Sequence, residues 1–297
     1  MNKTTNCNKP KYHDIINAVD PALIKQWEAE QAQLRAKFDG SNRVPDKIKF
    51  VAGCDITFSQ DYPNIAISTV AILNKKFEVV VLKSKVGKID VPYVPGFLAF
   101  REVPQLVDLF NQAIKELDEQ HNGGKIACIF VDGNGILHPK ECGLATHLGI
   151  ILGIPTIGCA KTIFAIDGIN STKINQIKEK FKNEHKGEKG VRVPLKGNSG
   201  KIWGMALKNT EGAYDPSIIS VGTMVDIDTA TDLVIRFSKK RVVEPVRVCD
   251  KYSRYLVKEF NTYFYLEAMK EGYEENQILE LFQEGINSKS SQSFKHI

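Results

Sequence analysis

Lys125-Ile126-Ala127-Cys128-Ile129-Phe130-Val131-Asp132-Gly133-Asn134-Gly135 is the stretch that decides the fold. Residues 125–131 read as a short strand that is apolar at every position after its lysine. Such a run suits a strand covered on both faces, and so central in a sheet. Asp132 ends it at the carboxyl edge, where open α/β sheets place their ligands. The spacing predicts a helix from about Lys140 to Leu152 and the next strand from Ile154 to Cys159.

Upstream, Asp20-Pro21 opens a helix that runs to about Phe38, with Asp20 as its N-cap and Pro21 at the first helical position. Lys47 to Phe58 reads as a strand. Ile65 to Leu73 and Phe77 to Val86 read as two more, joined through Asn74-Lys75-Lys76 as a hairpin. Ile89 to Gly96 carries two prolines and reads as a loop. From Phe97 onward Val103, Leu106, Val107, Phe110, Ile114 and Leu117 recur at helical steps, with Pro104 either kinking that helix or marking its start.

Downstream, 170–200 is lysine-rich and reads as a basic helix leading into a surface loop. Strands are expected at Lys201 to Leu207 and Ser217 to Val221, and a helix from Asp226 to about Lys240. This order makes the chain an α/β protein, a ribonuclease H-like mixed sheet flanked by helices. A single domain is expected over 20–285, between a flexible tail at 1–19 and a disordered Ser/Lys-rich tail at 286–297.

Composition narrows the function classes. The 297 residues are 42% hydrophobic, enough to bury a core, and carry a formal charge of +5, a mild pointer to phosphate-bearing partners. The six cysteines show no Cys-x-x-Cys pair and no zinc spacing, which fits a reducing compartment. The N-terminus is polar and no apolar run is long enough to cross a bilayer. The expectation is a cytoplasmic or nuclear protein without a membrane partner.

Asp55, Glu102 and Asp132 stand where local physics disfavours a carboxylate. Asp55 lies mid-strand in Val51-Ala52-Gly53-Cys54-Asp55-Ile56-Thr57-Phe58, Asp132 ends the central strand, and Glu102 begins a helix whose other inward positions are apolar. Each has an ordinary explanation alone: an edge-strand charge, a turn, a first-turn helix charge. Together, and in this order, they fit an oxygen-only site for a hard cation, Mg²⁺ or Mn²⁺, that neutralises charge on a phosphate oxygen.

Five ordered blocks then resemble endonuclease V over roughly residues 20–260: Ala52-Gly53-Cys54-Asp55; Pro92-Tyr93-Val94-Pro95-Gly96-Phe97-Leu98-Ala99-Phe100-Arg101-Glu102; Asp132-Gly133-Asn134-Gly135-Ile136-Leu137-His138-Pro139-Lys140; Gly143-Leu144-Ala145-Thr146-His147-Leu148-Gly149; and Ile157-Gly158-Cys159-Ala160-Lys161. The resemblance implies that Asp55, Glu102 and Asp132 bind the metal and that Lys161 contacts the scissile phosphate. It implies that Pro92, Tyr93, Val94 and Pro95 form a wedge filling the gap left by a displaced base. Gly133, Gly135 and Gly158 would wall the base pocket. His138 would sit near metal and phosphate, or serve as a structural hydrogen-bonding group.

Where the family carries Gly-His ahead of a late helix, this chain has Gly222-Thr223-Met224-Val225-Asp226. Thr223 thus replaces a metal-site histidine, and Asp226 is either a fourth metal carboxylate or the helix N-cap. The basic stretch at 173–192, Lys239-Lys240-Arg241 and Arg247 are candidates for tracking a phosphate backbone.

The implied activity is metal-dependent hydrolysis of the second phosphodiester 3′ to inosine in single-stranded RNA, or to deoxyinosine in DNA, leaving 3′-hydroxyl and 5′-phosphate ends. The insertion from about Lys186 to Leu207 resembles the eukaryotic branch, which favours RNA. The alternatives are a non-catalytic inosine-RNA binding protein, motivated by Thr223, and a ribonuclease H-like structure-specific nuclease.

Overall fold

A computed structural model describes residues 19–290 of the chain. Eight strands form one sheet: β1 (Phe50–Phe58), β2 (Ile65–Asn74), β3 (Val79–Lys88), β4 (Ile126–Val131), β5 (Thr156–Ala160), β6 (Val191–Lys196), β7 (Ile202–Lys208) and β8 (Ser217–Thr223). Their order is β3-β2-β1-β4-β5-β8-β7-β6. The first three make an antiparallel meander, β4 and β5 run parallel to β1, and β8, β7 and β6 continue antiparallel. This is the ribonuclease H-like mixed α/β sheet that the element order predicts.

The helices are α1 (Pro21–Ala36), α2 (Leu98–Gln120), α3 (Leu144–Leu152), α4 (Ser171–Asn183), α5 (Ile227–Arg236), α6 (Glu244–Glu259), α7 (Tyr265–Lys270) and α8 (Glu275–Ser290), with a π-turn at Phe260–Phe264 between α6 and α7. The central strand shows why 126–131 is apolar throughout. Ile129 and Val131 pack with Ala52, Cys54 and the α2–α3 layer, while Cys128 and Phe130 pack with Val51 and the α5–α6 layer. Both faces are covered, so neither tolerates a polar residue until Asp132 leaves the sheet. Among the described residues no helix is long and apolar enough to cross a membrane.

Several boundaries differ from expectation for physical reasons. Helix α2 begins at Leu98 and runs through Pro104, which lies on the exposed face of its second turn and neither starts the helix nor breaks it. Helix α3 begins at Leu144 rather than Lys140, because Glu141 takes a φ of 50° and Gly143 presses on the Asn134 carbonyl, where a Cβ would lie 2.3 Å away.

Residues 191–196, expected in a loop, form the outermost strand β6. There Pro194 needs no ladder hydrogen bond on its open side. Helix α5 stops at Arg236, and Pro245 restarts the chain as α6. Helix α8 continues to Ser290 with Ile286 in the core, so the C-terminal tail cannot begin at 286. Of the tail expected over 1–19, only Val19 is among the described residues, and it is buried with Trp27, Val94 and Phe97.

Candidate active site

The parallel register of β1 and β4 builds the first half of the site. Cys54 pairs with Val131, so Asp55, the next residue along β1, lies beside Asp132, where the chain leaves β4. Helix α2 lies across one face of these strands and brings Glu102, buried in its first turns, to the same place. Burial, and then the negative charge of Asp55, pushes the Glu102 carboxyl up to about 8, with Asp132 adding to the shift and Arg101 opposing it. Burial likewise raises Asp55, against hydrogen bonds from Ser253 and Thr57 and with the charges of Asp132 and Asp250. The carboxylates expected to cluster thus lie within one another's electrostatic reach.

Asp250, which carried no expectation, joins them from α6. The approach depends on Gly53: a Cβ there would lie 2.3 Å from the Pro245 carbonyl carbon, so only a glycine lets the start of α6 rest on β1. Cys249 Sγ then reaches the Gly53 carbonyl at 3.3 Å. One turn on, Ser253 Oγ donates to Asp55 Oδ2 at 2.8 Å, while Thr57 Oγ1 lies 3.1 Å from the same oxygen. The readable signal was Gly53 itself, on the same strand face as Asp55 and demanding a close backbone neighbour.

The three aspartates are each held by a protein partner. Lys161 Nζ binds Asp132 Oδ2 at 2.6 Å, Arg254 Nε binds Asp250 Oδ1 at 2.8 Å, and Ser253 holds Asp55. Accordingly, among the described residues no three His, Cys, Asp or Glu side chains close around one point as a finished metal cage. The donor set still fits a hard divalent cation. It consists of carboxylate oxygens in a half-buried place where negative charge is under-compensated. The neighbouring Cys54 and Cys159 thiols are pushed far up by burial, with help from Asp132 and, for Cys54, from Asp55 and Glu102, so neither supplies a thiolate.

Beside Asp132 opens a cavity of about 350 Å³, lined by Tyr93, Leu98, Gly133, Asn134, His138 and Lys161 among others. Tyr93 is 50% exposed at its mouth, while Val94 and Phe97 anchor the proline-rich loop in the core. Pro92 is exposed and Pro95 half-buried, which leaves the loop's tip in solvent.

His138 is buried. Its Nδ1 accepts from Lys140 N at 3.2 Å, its ring meets Phe164 edge-on at 5.1 Å, and burial depresses it to about 4 despite a hydrogen bond with the Gly96 backbone. The imidazole thus makes structural hydrogen bonds while also lining the cavity.

Three of the sequence-based assignments change. Asp226 is the N-cap of α5, its side chain accepting from Thr229 N at 2.7 Å. It stands three residues beyond Thr223, which pairs with Thr156 at the start of β5, whereas the carboxylates gather where β4 ends. Strand β8 runs antiparallel to β5, so Asp226 leaves the sheet at the opposite edge and is not brought to the cluster. Thr223 is buried there against the Asp39 backbone, so it takes no ligand's place.

Gly135 and Gly158 are not cavity wall. A Cβ on Gly135 would lie 2.0 Å from the Val221 carbonyl and one on Gly158 2.6 Å from Gly133 O, and the Gly135 amide is already bound to Ser220 Oγ at 2.8 Å. They lock the 132–143 loop onto β5 and β8, and only Gly133 of the three faces the cavity.

Acidic groups at the carboxyl edge of a ribonuclease H-like sheet, with a lysine at the same lip, define a nuclease of that fold class. The comparisons agree. A family model described as Endonuclease V matches residues 32–251. Endonuclease V of Homo sapiens is 34% identical over 239 residues, covering 78% of this chain and 82% of that protein. The crystal structure of the catalytic domain of human Endonuclease V superposes with a TM-score of 0.74 at 32% identity, covering 81% of this chain and 98% of that one. A Ciona intestinalis Endonuclease V, solved in complex with a 23mer DNA containing an inosine followed by a ribo-adenosine, superposes at 0.72 with 26% identity, covering 82% of this chain and 100% of that one. The chain belongs to the endonuclease V family.

Proposed function

We propose that this endonuclease cuts inosine-containing strands with Mg²⁺ or Mn²⁺, hydrolysing the second phosphodiester 3′ to the inosine and leaving 3′-hydroxyl and 5′-phosphate ends. The observation that carries the reading is the adjacency of two features: the coupled carboxylates Asp55, Glu102, Asp132 and Asp250, and an apolar-walled cavity whose rim bears Asp132 and Lys161. A base turned out of its stack is an apolar plate with a polar edge, and such a cavity suits it.

In this reading Asp55, Asp132 and Asp250 hold the cation, and Glu102 orients it and the attacking water. When bound, the ion supplies positive charge against the phosphate and acidifies that water. Lys161 is released from Asp132 to a phosphate oxygen as a compact point charge. Tyr93, stiffened by Pro92 and Pro95, occupies the space of the displaced base. Gly133 keeps the cavity wall free of a side chain, and His138 holds the loop behind it. The proposed partner is inosine-bearing RNA or DNA, and the proposed compartment is the cytoplasm or nucleus.

RNA is the favoured backbone. The Ciona relative was solved with a DNA that carries a ribo-adenosine after the inosine, and β6–β7 covers most of the Lys186–Leu207 segment whose sequence resembles the eukaryotic branch. Side-by-side cleavage of matched single-inosine RNA and DNA strands with Mg²⁺ tests this. Faster cutting of the RNA at the second 3′ bond supports it; equal or faster cutting of the DNA would overturn the RNA preference, and equal cutting of inosine-free controls would overturn the inosine reading.

A further inference from the structure

Helix α1 lies outside the sheet, yet its inward stripe is Trp27, Gln31 and Leu34, with an amide in its middle. Gln31 is only 1% exposed. Its Nε2 donates to the Gly96 carbonyl at 2.9 Å and to the Cys142 carbonyl at 3.0 Å. Those carbonyls belong to different loops, the proline-rich loop carrying Tyr93 and the 132–143 loop, and both residues line the cavity. Gly96 has a φ of 87°, so its carbonyl is aimed by a backbone conformation that glycine favours.

The neighbouring contacts converge on the same two loops. Trp27 packs on Phe97, where the proline-rich loop enters α2, with ring centroids 5.6 Å apart; Lys140 Nζ reaches Glu28 at 3.1 Å, and Arg35 Nε binds Glu141 at 3.0 Å. Docking a helix requires only apolar burial. A buried amide that donates both protons to two loops, while its Oε1 finds no partner, is costly and is there for what it joins.

We propose that Gln31 is a positioning residue: it fixes the spacing of the two cavity lips and thereby holds Tyr93 where a displaced base leaves a gap. The inference rests on the base-flipping reading above. Filling the gap matters where the inosine must be extracted from a paired stack and little where the strand is already single. Gln31 therefore acts on one substrate class more than the other, which a merely structural residue does not.

The test is single-turnover cleavage of a single-inosine strand, of whichever backbone the wild type cuts, both alone and annealed to its complement. Gln31→Met keeps the shape and removes the donors; its loss on the paired strand should exceed its loss on the single strand by about tenfold. Gln31→Met combined with Tyr93→Ala should be no worse on the paired strand than Tyr93→Ala alone. Should Gln31→Met fold poorly, Gln31→Asn, an amide one methylene shorter, is expected to show the same skew. Equal losses on both strands, or additive losses in the double variant, would overturn the positioning role while leaving the inosine reading intact. A wild type that cuts neither inosine strand would overturn both.

Discussion

Lys161 Nζ lies 2.6 Å from Asp132 Oδ2, so the cation expected at the phosphate and the carboxylate expected at the metal neutralise each other. Both are partly exposed at the cavity rim, so the pair adds little to stability. Its importance is competitive: a divalent ion and a phosphate must pull it apart. Lys161→Met should bind Mn²⁺ severalfold more tightly, because a positive neighbour is gone, yet turn over about 10²-fold more slowly for want of the phosphate contact. Calorimetric Mn²⁺ affinity with single-turnover rates checks this, and a parallel fall in both would refute the competition.

Asp250 and Asp226 give opposite expectations for one substitution. Asp250→Ala should abolish cleavage with little change in stability, since the side chain is partly exposed and held by Arg254. Asp226→Ala should leave the rate unchanged and cost about 1 kcal/mol, the value of a lost N-cap. Cleavage assays and denaturant midpoints separate the two, and an inactive Asp226→Ala would restore that residue to the metal shell.

Gly53→Ala places a methyl into the Pro245 carbonyl. Overpacking at such a contact costs about 1–3 kcal/mol. It should also lift α6 from β1 and carry Asp250 and Ser253 away from Asp55. The expected signature is a moderate fall in melting temperature with a much larger loss of activity, measured well below that temperature.

Glu102 makes stability depend on pH. Its folded carboxyl titrates at about 8 against an ordinary 4.5, so the folded state holds a proton that the unfolded state has released. The stabilisation is complete below 4.5 and is lost as pH rises through about 8, at about 1.4 kcal/mol per pH unit in between. His138 and His147, buried neutral and depressed to about 4, act in the opposite sense: their contribution is present above 6.5 and lost as pH falls through 4. Between pH 6.5 and 8 the carboxyl is left to dominate. Denaturant midpoints in chelator should fall across that window for the wild type and much less for Glu102→Gln; equal slopes would contradict the assignment.

The legible parts of the site were those that local physics disfavours. A carboxylate in mid-strand at Asp55, another closing an apolar run at Asp132, and a third on the inward face of α2 each conflict with their surroundings. Asp250 shows no such conflict. It lies between Cys249 and Lys251 on a helix with polar residues around it, where a charge is ordinary, and only tertiary contact gives it company. Asp226 looked better because it follows a strand, but which edge that strand leaves by depends on β8 running antiparallel to β5.

Glycine misled in a similar way. Gly133, Gly135 and Gly158 read alike in sequence, yet only one faces the cavity while two hold backbones in contact. In the fold, the meander and central strand followed from periodicity. Strand β6 was hidden by Pro194, and the end of α8 by its serines and lysines.

The central claim is that Asp55, Glu102, Asp132 and Asp250 share one divalent ion. Mn²⁺ binding followed by electron paramagnetic resonance, in the wild type and in Asp132→Ala, Asp250→Ala and Asp226→Ala, tests it most directly. The account predicts one site of the same affinity in the wild type and Asp226→Ala, weakened at least tenfold in the other two. Unchanged Mn²⁺ binding in Asp132→Ala and Asp250→Ala would contradict it.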